Sequence, residues 1–348
     1  MTTSESRAAA PVAPDGPVAS PLFVSSDAAR QVLVWDEMVE RLRAAYSVPV
    51  DDKASPPRTV ARGERAWLRT LTAVPPTTRY MGAKVFGMAR NRNVGYLIAL
   101  MDRENGGFAG LLDAYYVTSF RTGATSAVAV DRMAAPGPKT VAVIGSGSEA
   151  NSHVRALAAV RPIAGLRVFS PTAANREAFV ARMQAELGIP GIAVASSEAA
   201  VDGADIVVAC ARSRDESPTL YGRWLRPGMM VVSIGSTLPE QREIDASVVE
   251  ACDLIVCDAV EEVVEETGDM IAAKAAGLAF DHKLAGLNEV MLGQVDDRVK
   301  NARLPMFKSV GSALQDIVIA ELAFQRALEA GLATTLPIEF RIRNAGKK

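Results

Sequence analysis

The period of apolar positions changes along this chain, and each change marks a different kind of structure. From 27 to 46, Ala29, Val32, Met38, Leu42 and Ala45 stand partly in helical register and predict a helix. Pro56-Pro57-Arg58 then opens an extended region. Apolar runs at 66–71, 79–86, 95–101 and 108–112 predict strands, with Asn105-Gly106-Gly107 in the 102–107 hairpin turn. A small-residue helical pattern over 114–135 stops at Pro136-Gly137-Pro138. Beyond it, short apolar runs at 141–144, 166–169, 192–194, 206–209, 230–234 and 254–257 alternate with helical stretches, as in a parallel sheet. A last helical pattern, 311–330, is expected to return to the first module.

These patterns predict an α/β chain in which a Rossmann-type doubly wound parallel sheet is inserted into an antiparallel α+β domain. The expected division is a disordered tail at 1–22, a first domain from 23–135 plus 320–348, and a dinucleotide-binding domain at 136–319. The tail expectation rests on the Ala, Pro and Ser content of the first 20 residues, which lack the apolar core of a secretion signal. A formal net charge of −2 leaves no broad basic surface for nucleic acid or an anionic membrane. No apolar run reaches the roughly 20 residues that span a bilayer. Cys210, Cys252 and Cys257 are odd in number and not in metal spacing, so a reduced, cytoplasmic setting without a metal is expected. His153 lies on a helix pattern and reads as packing or surface rather than catalysis.

The segment Val141-Ala142-Val143-Ile144-Gly145-Ser146-Gly147-Ser148-Glu149-Ala150 carries the most specific signal. A buried strand breaks into Gly-x-Gly-x-x-Ala and a helix follows, which is the dinucleotide fingerprint in its required context. Gly145 allows the tight turn, Gly147 lets the backbone approach a pyrophosphate, and Ala150 lets helix and strand pack closely. The free N–H groups of the helix start, at Ser146, Ser148 and Glu149, then face the phosphates. The next strand ends at Ser170 without the acid that would grip a ribose 2′-OH. Ser170, Thr172, Asn175 and Arg176 accept a 2′-phosphate that a carboxylate would repel, which favours NADP(H) and leaves NAD(H) open. Thr172 and Asn175 also suit the cap of the helix that follows.

Lys84 in a strand, Arg121 in an apolar small-residue helix, and Arg58 after two prolines are charges in unusual surroundings. Two arginines make a fork for a carboxylate, and a lysine near them binds a carboxylate or an imine. Each alone also fits a snorkelling side chain or a surface pair.

Pro57-Arg58, Gly82-Ala83-Lys84-Val85, Thr118 to Ala124, the fingerprint, Lys308-Ser309-Val310-Gly311 and Gln315-Asp316 stand in an order that resembles the ornithine cyclodeaminase/μ-crystallin family. The resemblance spans roughly 25 to 335 and implies a homodimer formed through the antiparallel module, with NAD(P) on the inserted domain. It implies that Arg58, Lys84 and Arg121 hold the carboxylate and the amine or imine of a small substrate, with Lys84 catalytic. It also implies Thr122, Ser213, Ser309, Val310 and Gly311 at the cofactor. Thr237 stands where the cyclodeaminases of the family carry an aspartate, and a hydroxyl is no base near neutral pH without help. Glu240 or Glu243 could substitute, though Glu243 reads as structural. The resemblance therefore points to reduction of a cyclic imino acid such as Δ1-pyrroline-2-carboxylate or Δ1-piperideine-2-carboxylate. A cyclodeaminase-type lyase using bound NAD+ and a non-catalytic NADPH or small-ligand carrier remain the alternatives.

Overall fold

The computed structural model describes residues 20–91 and 93–342. Two sheets organise the molecule. The first is built from β1 (Leu22–Val24), β2 (Thr59–Gly63), β3 (Ala66–Ala73), β4 (Tyr80–Met88), β5 (Val94–Asp102), β6 (Phe108–Asp113) and, from the far end of the chain, β15 (Thr334–Thr335). Its order is β15-β1-β6-β5-β4-β3-β2, antiparallel throughout except for the β1–β6 pair. The second sheet is wholly parallel and comprises β7 (Lys139–Ile144), β8 (Ile163–Phe169), β9 (Gly191–Ala193), β10 (Ile206–Ala209), β11 (Met230–Ser233), β12 (Leu254–Cys257), β13 (Leu284–Gly286) and β14 (Pro305–Lys308). Its order, β13-β12-β14-β11-β10-β7-β8-β9, reverses at β7, as in a doubly wound fold.

Several expectations need correction. The helix read over 27–46 is two helices, α1 (Ser26–Val32) and α2 (Trp35–Tyr46), because Leu33 and Val34 take extended backbone. The Ser25 side chain caps α1 at Ala28 N, so the pattern starts where it should and breaks inside. The tail expected at 1–22 falls outside the described residues up to 19, and Leu22 belongs to β1. Strand β14 was missed because Pro305 and Lys308 bracket only two apolar residues, yet all four are buried between β11 and β12.

The helix α3 (Tyr115–Met133) leads from the antiparallel sheet to β7, and α4 (Ser148–Val160) leaves β7. These two helices cross closely: a Cβ on Gly123 would stand 2.8 Å from the Ser152 carbonyl oxygen. Ser119 Oγ lies 2.8 Å from Ser152 Oγ, and Ser126 Oγ lies 3.0 Å from His153 Nε2. His153 is fully buried, its Nδ1 reaches the Glu149 carbonyl, and burial pushes its pKa down to about 4. It is a packed, satisfied histidine.

The C-terminal helix Ala313–Glu329 lies across the inner face of the antiparallel sheet. Gly82 and Gly110 make room for it, since a Cβ there would meet Ile317 and Phe324 at 2.8 and 2.7 Å. A division of the chain at 319/320 falls in the middle of this continuous helix. The strand alternation puts Leu71, Ile98, Leu100 and Leu112 inward, while Leu68, Leu97 and Met101 stand exposed on the other face. Among the described residues no helix is long and apolar enough to cross a membrane.

Candidate active site

The nucleotide end of the site is made of backbone. Gly145, just past β7, has φ +131, a conformation L side chains rarely adopt, and its amide donates to the Phe169 carbonyl. Gly147 has φ −87 and caps α4 through backbone alone, and a Cβ there would meet nothing within 4 Å. That open space above the first turn of α4 is a cradle a pyrophosphate fits. Ala150 is fully buried against the sheet, and Ser148 Oγ lies 3.2 Å from Ser119 Oγ. Ser146 donates its hydroxyl to Ser170 Oγ across the end of β8. Beyond β8, α5 (Ala173–Leu187) begins after Thr172, whose side chain makes no cap hydrogen bond. Asn175 is exposed, so neither residue caps α5 through its side chain. Arg176 folds back, donating Nη1 to the Ser170 carbonyl at 2.8 Å with its guanidinium 5.9 Å from the Phe169 ring.

A cleft of about 730 Å³ opens at the C-terminal ends of the parallel strands, facing the inner side of the antiparallel sheet. It brings together Arg58, Lys84, Arg121, Thr122, Glu149, Ser213, Thr237, Ser309, Val310 and Gly311. Gly145 to Ser148, Ser170, Thr172, Asn175 and Arg176 lie outside its lining, along the nucleotide arm described above. Thr122 points its hydroxyl at the Thr118 carbonyl within α3, and Ser213 ties a rim turn through Asp215 and Ser217.

The cations in the cleft are held by carboxylates to which the sequence reading assigns no role, although Asp316 belongs to one of its motifs. Lys84 Nζ is 3.0 Å and Arg121 Nε 2.8 Å from the same oxygen, Asp316 Oδ1, while Asp316 Oδ2 is enclosed without a partner among the described residues. Arg121 Nη1 donates to Gln315 Oε1 at 2.8 Å, and its Nη2 has no protein partner among the described residues. Gly311 has φ +80, and a Cβ there would stand 2.6 Å from both terminal nitrogens of Arg121, so only glycine lets the guanidinium lie flat on the backbone. Arg58 gives Nε and Nη2 to Glu262, and Nη2 also to the carbonyls of Val310 and Gly311, leaving Nη1 without a protein partner among the described residues. Asp258 in turn accepts from Ser309 Oγ, Val310 N, Gly311 N and Gln315 Nε2 and fixes that loop.

Lys84 is fully buried beside the rings of Phe86 and Tyr96, 5.0 and 5.7 Å from its ammonium. Burial outweighs Asp316, with Arg121 adding repulsion, and its pKa falls to about 8. Glu149 has one carboxylate oxygen enclosed without a partner among the described residues, and burial raises its pKa to about 7 against the pull of Arg121.

The loop after β11 is braced from below. Thr237 N and Oγ1 both donate to Gln241 Oε1, and Ser236 Oγ donates to the Gln241 carbonyl. Glu243 is fully buried and accepts from Ser233 Oγ, Ile234 N and Gly235 N, next to the buried Lys308–Asp269 pair. Glu243 therefore shapes the loop without lining the cleft, and Glu240 is exposed away from it. Neither offers a carboxylate where Thr237 stands.

Asp316, Gln315, Glu262 and Asp258 escaped sequence reasoning as site residues. Gln315-Asp316 at the head of the helix, just before the apolar run Ile317–Ala320, was the available signal, and Glu262 and Asp258 gave none because their partners lie far away in sequence.

Comparisons with known proteins agree with this architecture. The model of the ornithine cyclodeaminase/mu-crystallin family matches residues 31–331, and the chain belongs to that family. A Delta(1)-pyrroline-2-carboxylate reductase of Bacillus cereus is 28% identical over 275 residues, 79% of this chain and 81% of that protein. The ketimine reductase mu-crystallin of Mus musculus is 28% identical over 227 residues, covering 65% of this chain and 68% of the relative. The solved Thermococcus litoralis Delta(1)-pyrroline-2-carboxylate reductase, in complex with NADH and L-proline, superposes with a TM-score of 0.83 at 27% identity, covering 90% of this chain and all of that one.

Proposed function

We propose that this member of the ornithine cyclodeaminase/mu-crystallin family uses NAD(P)H to reduce a small imino acid, a ketimine such as Δ1-pyrroline-2-carboxylate or Δ1-piperideine-2-carboxylate, to the amino acid. The observation that carries this reading is the meeting of a dinucleotide cradle with three buried cations at one cleft. A bound nicotinamide supplies hydride there. The chain's own residues do the rest. Arg58 Nη1 and Arg121 Nη2 are the donors left over for a substrate carboxylate, and their other donors are fixed by protein carboxylates and carbonyls. Lys84, charged below a pH of about 8, adds a third donor at the imine end, and Asp316 holds it in place. Burial of the ammonium beside the stacked Phe86 and Tyr96 rings keeps water from competing with the substrate.

Thr237 weakens the lyase reading, because its hydroxyl is bound to Gln241 and no carboxylate stands in its place. Ser170, Thr172 and Arg176 support NADP(H) over NAD(H), with Arg176 poised at the end of β8. The exposed Leu68, Leu97 and Met101 on the outer sheet face support a homodimer, which equilibrium sedimentation would test.

The deciding experiment follows NADPH and then NADH absorbance with each cyclic imine. Rapid, imine-dependent oxidation is expected, faster with NADPH. Binding of NADPH without oxidation by any imine would overturn the reading, and ammonia release from ornithine would replace it with the lyase.

A further inference from the structure

One buried cation of the cleft has no use in this scheme. On β3 the inward positions are Arg69, Leu71 and Ala73, so an arginine occupies a core phase of the strand. Arg69 is 2% exposed, and it lines the cleft. Among the described residues its side chain makes one hydrogen bond, from Nη2 to the Thr237 carbonyl at 3.1 Å, and its Nε is enclosed with no partner. The nearest carboxylate, Glu266, stands 3.9 Å from Nη2 and lies closer, at 3.6 Å, to Arg58. The guanidinium carbon is 5.2 Å from the Trp67 ring, which positions the fork but adds no charge.

Arg58 and Arg121 each have a carboxylate in hydrogen-bond contact, and Arg69 does not. A guanidinium stays charged and carries five donors, so burying it with one backbone acceptor leaves most of its hydrogen-bonding capacity unmet. Enclosure, followed by repulsion from Arg58, pushes its pKa down to about 10. Glu262 and Glu266 together face Arg58 and Arg69, so what the Arg69 fork lacks at this point is hydrogen-bond acceptors. The register pairs Leu71 with Lys84 and Arg69 with Phe86, so Arg69 is the diagonal neighbour of Lys84 on the same face. Diagonal neighbours of this kind are about 7–8 Å apart.

We propose that Arg69 receives a second carboxylate, so that the imino acid taken by this cleft is a short dicarboxylate. One carboxylate is held by Arg58 and Arg121, and the other meets the open edge of the Arg69 fork beside Thr237. The inference rests on the imine-reduction reading and names its substrate class. Hydride still adds to the imine carbon and a proton to its nitrogen, and NAD(P)H is oxidised in the same step.

The test compares wild type, Arg69→Gln and Arg69→Lys on Δ1-pyrroline-2-carboxylate and on the imine formed from 2-oxoglutarate or oxaloacetate with ammonium. Calorimetric binding of pyrrole-2-carboxylate and pyrrole-2,5-dicarboxylate gives a readout independent of turnover. Wild type is expected to favour the dicarboxylate in kcat/KM and in binding. Arg69→Gln lowers the dicarboxylate-to-monocarboxylate ratio by about tenfold to a hundredfold, the range of one charge-assisted bond, and Arg69→Lys restores part of it. Equal losses on both substrates would assign Arg69 to the shared carboxylate and overturn the proposal. So would wild-type preference for the monocarboxylate. Arg69-dependent binding of the dicarboxylate with no reduction of any imine would leave this inference standing and remove the reductase reading instead.

Discussion

The two ends of the site are built on opposite principles. At the nucleotide end the protein offers backbone N–H groups, small side chains and empty space, with Gly147 facing nothing within 4 Å. At the substrate end it buries four cations and ties most of them to its own carboxylates, with Asp316 serving both Lys84 and Arg121. On the proposed function a phosphate arrives at the first end with its charge and meets dipoles, and a carboxylate arrives at the second and meets cations with spare donors. The nucleotide end should therefore tolerate change in fold but not in binding, and the substrate end should tolerate neither.

The largest break is expected from Asp316→Asn. It leaves two buried cations without a counter-charge, which should destabilise the protein by about 3–5 kcal/mol in a denaturant titration. Activity of whatever remains folded should fall at least about a hundredfold as Lys84 and Arg121 lose their orientation. Stability within about 0.5 kcal/mol of wild type, the range of an uninvolved surface change, would show that Asp316 is not the anchor.

Next is a matched pair of glycines. Gly311→Ala strains a positive φ and collides with Arg121, and should destabilise by about 1–3 kcal/mol while raising the substrate KM. Gly147→Ala should leave the melting curve nearly unchanged, since the added methyl meets only open space. Its KM for the nicotinamide cofactor should nonetheless rise by about tenfold or more, because that space belongs to the phosphates. Equal effects of the two substitutions on stability would erase the contrast.

A pH series sharpens the substrate end. With Lys84 depressed to about 8, kcat/KM for a carboxylate substrate should fall as pH rises through about 8. The unfolded lysine holds its proton up to its ordinary value of 10.5, so between about 8 and 10.5 the unfolded chain binds more protons at this site. The Lys84 contribution to stability therefore improves as pH rises through that window, and Lys84→Met should flatten it. A kcat/KM profile flat from pH 7 to 9 would remove Lys84 as the titrating group.

The smallest effect belongs to Arg176→Ala, which should weaken NADPH by about tenfold and NADH by less than about threefold. Equal losses would mean that Arg176 only stacks on Phe169 and caps the Ser170 carbonyl.

The same contrast explains what could be read from the chain. The nucleotide end is contiguous: strand, Gly145, Gly147, Ala150 and helix lie within a dozen residues, so spacing alone exposes them. Both sheets and their character were legible from period. The substrate end draws on Arg58, Lys84, Arg121, Glu262 and Asp316, which only the fold brings together. Their cations stood out as charges in apolar runs. Their carboxylates did not, because an acid in a helix is ordinary until its partner is known. Arg69 was hidden by phase: it occupies an inward position, but inside a run containing Trp67 and Leu71 it read simply as part of a strand. β13 and β14 lack the unbroken apolar run that exposes the comparably short β10 and β12: β13 ends in Gly286, and Pro305 and Lys308 leave β14 only two apolar residues.

Arg58 binds Glu262 and the Val310 and Gly311 carbonyls from a loop just ahead of β2, and so stitches the antiparallel sheet to the parallel one. That seam decides how portable the inserted half is. Excised on its own, the 136–319 segment would keep Glu262 and lose the guanidinium that neutralises it. The Asp258 loop would likewise lose Gly311's neighbour, Arg121. The insertion is thus no cassette to be moved between proteins. A chimera that swaps either half must carry across the arginine on one side and the acid on the other.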